Sequence, residues 1–171
     1  MSLRIYFGPV DEDMPRRAAE QAAVHALISR YLPALALRYR PSGAPYIERG
    51  YISVTHARTV AAIAVSDRPV GIDLEYPRPQ LLRIASKFLS EDEQRCYVGL
   101  PWLLYAWTAK EAAFKACHSM GCPIQVMTDI TLWAGDDGLP VRATSPAFPS
   151  VSIGLRFETR DDGAILAIAE C

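Results

Sequence analysis

Two pairs of charged residues carry spacing that could do chemistry. Asp73 and Glu75 lie in the run Val70-Gly71-Ile72-Asp73-Leu74-Glu75. On a strand, alternation puts both carboxylates on one face and Ile72 and Leu74 on the other. Two like charges so placed repel, and a hard cation such as Mg²⁺, which prefers carboxylate and phosphate oxygens, relieves the repulsion. A solvated face on a half-exposed strand explains the same alternation, and spacing alone favours it. Glu111 and Lys115, four residues apart, share a helix face. An ordinary surface ion pair has that spacing too, but the surrounding residues Leu103, Leu104, Tyr105, Ala106, Trp107, Ala112, Ala113 and Phe114 are apolar. A largely buried helix carrying Lys110, Glu111 and Lys115 asks for a functional reason. His56 ends the strand-like run Ile52-Ser53-Val54-Thr55 and suits either a phosphate contact or a solvated structural role. Cys117, His118 and Cys122 are close in sequence, but their spacing matches no zinc pattern. Isolated thiols in a reducing compartment are the simpler reading.

These residues need elements to hold them. Residues 16–32 form a helical pattern behind Pro15, with apolar rows Ala23-Leu27-Tyr31 and Val24-Ile28-Leu32. Strands are expected over 3–7, 35–40, 51–55, 60–66 and 70–74, two or more of them paired as a meander. Ser90 with Glu93 makes a capping box and starts a helix. Pro101 suits the first residue of another, running to about Cys117. Asp136-Asp137-Gly138 and Asp161-Asp162-Gly163 read as hairpin turns, with strands over 130–133, 151–158 and 164–169. Strand and helix patterns segregated in this way indicate an α+β fold, with each half a helix on a small antiparallel sheet.

With 171 residues, half of them hydrophobic, the chain is long enough for one ordinary domain or two small halves sharing a core. A net charge of −1 gives no support to nucleic-acid binding, which calls for a basic excess. No run approaches the roughly 20 apolar residues that span a bilayer. The first ten residues lack the charged and apolar regions of a secretory leader, so a soluble, cytoplasmic protein is expected.

The joint order of the motifs is more specific than any one of them. Ile52-Ser53-Val54-Thr55-His56, then Gly71-Ile72-Asp73-Leu74-Glu75, then Phe88-Leu89-Ser90 with Glu93, then Trp107-Thr108-Ala109-Lys110-Glu111-Ala112 with Lys115, resembles the 4'-phosphopantetheinyl transferase superfamily. Gly43-Ala44-Pro45-Tyr46 resembles that family's G-K-P-Y turn, and the likeness covers roughly residues 16–130. Within the superfamily the chain is similar to the surfactin-synthetase-activating type, shortened near the N-terminus. The resemblance implies a monomer of two pseudo-symmetric halves, 1–75 and 76–171. It implies transfer of the phosphopantetheine arm of coenzyme A, the co-substrate, to a serine of an apo acyl or peptidyl carrier protein, with release of 3',5'-ADP. Asp73, Glu75 and Glu111 would hold Mg²⁺, or Mn²⁺ in its place. Glu111 would take the serine proton and Lys115 would serve the departing phosphate. Arg16, Thr55, His56, Asp73 and Lys115 would contact coenzyme A or its metal-bound phosphates. Ala44 stands where the family has lysine, His118 where it has glycine, and Ala57 where it has serine. Glu93 is assigned to the capping box, Trp107 and Phe88 to the core, and Arg78, Arg83 and Lys87 to a surface for an acidic carrier. Two other functions fit less of the pattern: binding of coenzyme A or carrier without transfer, and hydrolysis of nucleotide pyrophosphates.

Overall fold

A computed structural model describes residues 2–121, 124 and 126–171. The element order is β1 (Arg4–Pro9), α1 (Arg16–Tyr31), β2 (Arg38–Tyr39), β3 (Pro45–Tyr46), β4 (Tyr51–Ala57), β5 (Val60–Ser66) and β6 (Val70–Glu75). Then come α2 (Gln80–Phe88), α3 (Glu91–Cys96), α4 (Leu100–Ser119), a 3-10 turn at Met127–Asp129, β7 (Thr131–Ala134), β8 (Pro140–Thr144), β9 (Ile153–Thr159) and β10 (Ile165–Glu170). The strands make a three-stranded sheet β1-β5-β4, a five-stranded sheet β6-β10-β9-β8-β7 and a two-stranded ribbon β2-β3. Every ladder is antiparallel, and the α+β class expected from the sequence holds.

Alternation along the strands explains the layering. In β5, Ala61, Ile63 and Val65 pack with Ala23, Val24, Leu27 and Ile28 of α1, the residues that recur at helical spacing. The intervening Ala62 and Ala64 turn to Ile72, Leu74, Leu166 and Ile168 of the other sheet. Both faces of β5 are therefore buried, which is why it reads as one apolar run. On the far face of the larger sheet, Ala143, Ile153, Leu155, Ala167 and Ala169 pack with Leu104, Ala109, Ala113 and Ala116 of α4. The layers run α1, three-stranded sheet, five-stranded sheet, α4.

β6 lies hard against α4 at Gly71. A Cβ built there would sit 1.9 Å from the Ala112 carbonyl oxygen and 2.4 Å from the Ala116 nitrogen. Glycine at 71 and alanines at 112, 113 and 116 let β6 lie directly on the backbone of α4. The two charged motifs are thus pressed together by their own small residues.

Several expectations are revised. The strand over 35–40 shrinks to Arg38–Tyr39, because exposed residues there find only the short Pro45–Tyr46 partner. The expected meander of two or more strands is present as the β4–β5 hairpin, while β6 pairs with β10. The Asp-Asp-Gly turn at 136–138 leads into β8, a strand the alternation did not reveal. α2, only nine residues beginning after Pro79, also escaped the periodic reading. Pro101 is the second residue of α4, after Leu100. Among the described residues, no helix is long and apolar enough to cross a membrane.

Candidate active site

β6 presents its residues as strand alternation requires. Ile72 and Leu74 enter the core between the sheets. Gly71, Asp73 and Glu75 face α4, so the carboxylates meet a helix and not open solvent. The opposite edge of β6 is held to β4 by hydroxyl groups. Ser53 Oγ accepts from the Ile72 amide at 2.9 Å, and Thr55 Oγ1 accepts from the Leu74 amide at 3.0 Å. The Thr55 hydroxyl in turn donates to Asp73 Oδ1 at 3.2 Å.

Asp73 Oδ1 also receives Lys115 Nζ at 2.7 Å, and that ammonium donates to the Ile72 carbonyl at 3.0 Å. The other oxygen, Asp73 Oδ2, is buried and has no hydrogen-bond partner among the described residues. Glu75 Oε1 accepts from the Trp107 indole at 2.8 Å and from the Arg78 guanidinium at 2.9 Å. The guanidinium lies over the Trp107 ring, 5.2 Å from its centre, and the ring meets Phe88 edge-on at 5.0 Å.

Glu111 completes the cluster from α4. Burial, then the charge of Asp73, then that of Glu75 push its carboxyl up to about 7, against the pull of Lys115 and Arg78. Burial and then Asp73 likewise raise Glu75, offset by Trp107, Arg78 and Lys115. The three carboxylates sense one another across β6 and α4, one cost of ionising like charges in a shared low-dielectric site. The donor chemistry suits a hard cation: three carboxylates in mutual repulsion and one buried oxygen without a partner among the described residues. As the side chains stand, Asp73 is turned to Lys115, and Glu75 to Trp107 and Arg78. Among the described residues no group of three or more His, Cys, Asp or Glu is arranged to hold a metal ion.

Lys110 points away from this cluster. It is fully buried, and its ammonium donates to Glu93 Oε2 at 2.7 Å and to the Met127 carbonyl at 3.2 Å. Burial lowers its pKa, against the opposing effect of Glu93. Glu93 closes the expected capping box with Ser90 and also accepts the Leu132 amide at 2.8 Å. It is more than a cap: one buried carboxylate ties α3, α4 and β7 together.

Beside the carboxylates lies a cavity of about 980 Å³ between α1, the loop joining β2 to β3, β4 and the end of α4. Arg16, Arg17 and Lys115 give it a cationic wall, with His56 beside them. Arg16 Nε and His56 Nδ1 both contact Glu20 Oε1, at 2.8 and 3.0 Å. Phe114 and His118 line the cavity with their rings 4.2 Å apart. Lys115 belongs to both regions: it lines the cavity and bonds Asp73. Thr55 lies in neither as a ligand contact, since it is buried and its hydroxyl is spent on β6. Arg78 turns inward to Glu75, while Arg83 and Lys87 are exposed on α2 beside Leu82. Cys117 is buried and Cys96 exposed, and Cys122 falls outside the described residues.

Sequence reasoning passed over Glu20, the tethering role of Glu93, and the hydroxyl of Ser53. Lys110 was noticed, because a lysine on an apolar helix face needs a partner; only the fold shows which one.

Residues 69–151 match the sequence profile of the 4'-phosphopantetheinyl transferase superfamily. That segment belongs to the superfamily. It holds β6, α4 and the whole carboxylate cluster with Lys110 and Lys115, while Arg16, Thr55 and His56 precede it. The chain is also similar to the 4'-phosphopantetheinyl transferase psf-1 of Bacillus pumilus, with 34% identity over 71 residues. The match covers 38% of this chain and 30% of that protein's length.

Proposed function

We propose that this chain transfers the 4'-phosphopantetheine arm of coenzyme A to the serine of an apo acyl or peptidyl carrier protein, releasing 3',5'-ADP. The observation that carries the reading is the coupled cluster of Asp73, Glu75 and Glu111, joined through Lys115 to a large cationic cavity. The cavity is large enough for a nucleotide-bearing ligand, and its arginines and lysine suit phosphates. The superfamily segment contains the cluster, which supports the same assignment.

Such a transfer breaks a phosphoanhydride bond while a serine oxygen attacks phosphorus, so positioning and charge neutralisation dominate its catalysis. Asp73, Glu75 and Glu111 would hold Mg²⁺ or Mn²⁺, which supplies neutralisation of the diphosphate oxygens when bound. Glu111, with its carboxyl near neutrality, accepts the serine proton, work worth roughly 10²–10⁴-fold. Lys115 swings between Asp73 and the ligand, placing an ammonium against the phosphate that leaves. Thr55 and Ser53 fix the register of β6 and hence the direction of Asp73. The buried Glu93–Lys110 pair fixes the rotation of α4 and therefore where Glu111 points. The chain acts as one pseudo-dimeric unit, and Arg83 and Lys87 with Leu82 on α2 offer a surface to an acidic carrier helix.

Chromatography of 3',5'-ADP tests this reading. Release from coenzyme A is expected only when Mg²⁺ and an apo carrier are both present, and not with a carrier whose modified serine is replaced by alanine. Release without carrier would replace the transferase with a pyrophosphate hydrolase. Tight coenzyme A binding with no release would leave a binding protein.

A further inference from the structure

Glu20 is an acidic side chain set among the cations of the cavity. It stands one helical turn after Arg16 on α1, which brings the two side chains to one face. β4 ends opposite, and its His56 reaches the same oxygen: Arg16 Nε and His56 Nδ1 converge on Glu20 Oε1 at 2.8 and 3.0 Å. The Glu20 side chain is 16% exposed, against 76% for Arg16 and 40% for His56. The carboxylate is therefore the inner member of the group, and the guanidinium and the imidazole lie over it. A guanidinium donor and an imidazole nitrogen converging on one anionic oxygen is an arrangement that also suits a phosphate oxygen. The loop facing this end contributes Ser42, Gly43, Ala44 and Pro45, none of them charged.

We propose that Glu20 is a specificity-determining residue: its carboxylate occupies Arg16 and His56 as a ligand phosphate would, so this end of the cavity does not demand one. The inference rests on the reading of the cavity as a coenzyme A site. Lys115 lines the cavity and also touches Asp73, so the diphosphate belongs at that end and the nucleoside lies toward α1. Coenzyme A carries a phosphate monoester on its ribose 3' oxygen, and 3'-dephospho-coenzyme A lacks it. A monoester arriving at Arg16 and His56 must displace Glu20 or face its charge, so the wild type gains little from that phosphate.

The test compares the two donors in arm transfer to an apo carrier, using wild type, E20Q, R16Q and the double variant. Gln keeps the size of Glu and removes the charge. Wild type should use the donors within about threefold of each other in kcat/KM. E20Q, with the charge opposite Arg16 and His56 removed, should favour coenzyme A by about tenfold or more, the worth of one charge-assisted hydrogen bond. Most of that gain should disappear in R16Q/E20Q. An unchanged ratio in E20Q, or a wild type that already prefers coenzyme A a hundredfold, overturns the proposal. So does a gain that persists in full without Arg16, since that reports only long-range repulsion. Calorimetry of 3',5'-ADP against 5'-AMP, with no carrier, puts the same question without transfer. If no arm is transferred but E20Q still tightens 3',5'-ADP selectively, the function fails and the role of Glu20 stands. If transfer proceeds and E20Q changes neither ratio, the role of Glu20 fails alone.

Discussion

Replacing Gly71 with alanine should be among the most damaging single-methyl additions this chain can receive. The added Cβ would lie 1.9 Å from the Ala112 carbonyl oxygen, whereas ordinary contact begins near 3.4 Å. The obstacle is backbone on both counts, Ala112 O and Ala116 N, so no side chain can swing aside. β6 and α4 must separate by about 1.5 Å, with ordinary contact restored at the end. Ala112, Ala113 and Ala116 are all fully buried, so the separation opens a gap along the helix as well. Overpacking of this kind costs about 1–3 kcal/mol and more where backbone must move; a loss of at least 3 kcal/mol in urea unfolding is expected. The same displacement carries Asp73 away from Glu111 and Lys115, and a shift of about 1 Å in a positioned site costs on the order of 10²-fold in rate. Gly154 provides the control: a Cβ there finds the Glu170 carbonyl oxygen at 3.7 Å, an ordinary contact on an exposed strand position. G154A should remain within about 0.5 kcal/mol of wild type, as surface changes do. If G71A unfolds within 1 kcal/mol of wild type, β6 does not rest on α4 as described.

Three further perturbations follow from the buried polar groups. In metal-free buffer E111Q should stabilise the protein by roughly 1–3 kcal/mol at pH 8. The folded carboxyl is raised to about 7, so its contribution is fully present below the unfolded value near 4.5 and is lost as pH rises through 7. The two proteins should converge near pH 4, Mg²⁺ should narrow the gap at pH 8, and a less stable E111Q at pH 8 would contradict the repulsion among the carboxylates. K110M should cost about 3–5 kcal/mol in chemical unfolding by leaving the Glu93 charge buried without its cation, and adding E93Q, which removes that charge but keeps one acceptor oxygen for the Ser90 or the Leu132 amide, should recover part of the loss; no recovery would show that the charge of Glu93 is not what Lys110 compensates. T55V should lose about 1–3 kcal/mol by orphaning the Leu74 amide, and T55S should restore it; equal stability of T55V and wild type would remove the hydroxyl from the support of β6.

What the sequence disclosed was mostly local. Ser90 and Glu93 are three residues apart, and Asp-Asp-Gly specifies its own turn, so the α3 cap and both C-terminal hairpins were legible. Alternation placed Asp73 and Glu75 on one face of β6, and the fold keeps them there. The partner of that face was not legible as geometry: α4 and β6 meet because Gly71 and three alanines are small, which composition records but pairing does not. β6 joins β10, from the far end of the chain, and nothing in either strand names the other. Glu93 looked complete as a cap because its second oxygen is used by Leu132, distant in sequence. Glu20 left no sign in the sequence, because the His56 that shares its oxygen is brought there by β4, far along the chain. Short elements such as β2, β3 and α2 take their shape from tertiary contacts and leave little periodic trace.

The proposed transferase activity is tested most directly by the intact mass of an apo carrier protein after incubation with this chain, coenzyme A and Mg²⁺. It predicts a mass gain of one phosphopantetheine, absent with EDTA and absent with E111Q even though that variant is folded. A panel of acyl and peptidyl carriers that all keep their apo mass would contradict it, as would a gain that E111Q leaves intact.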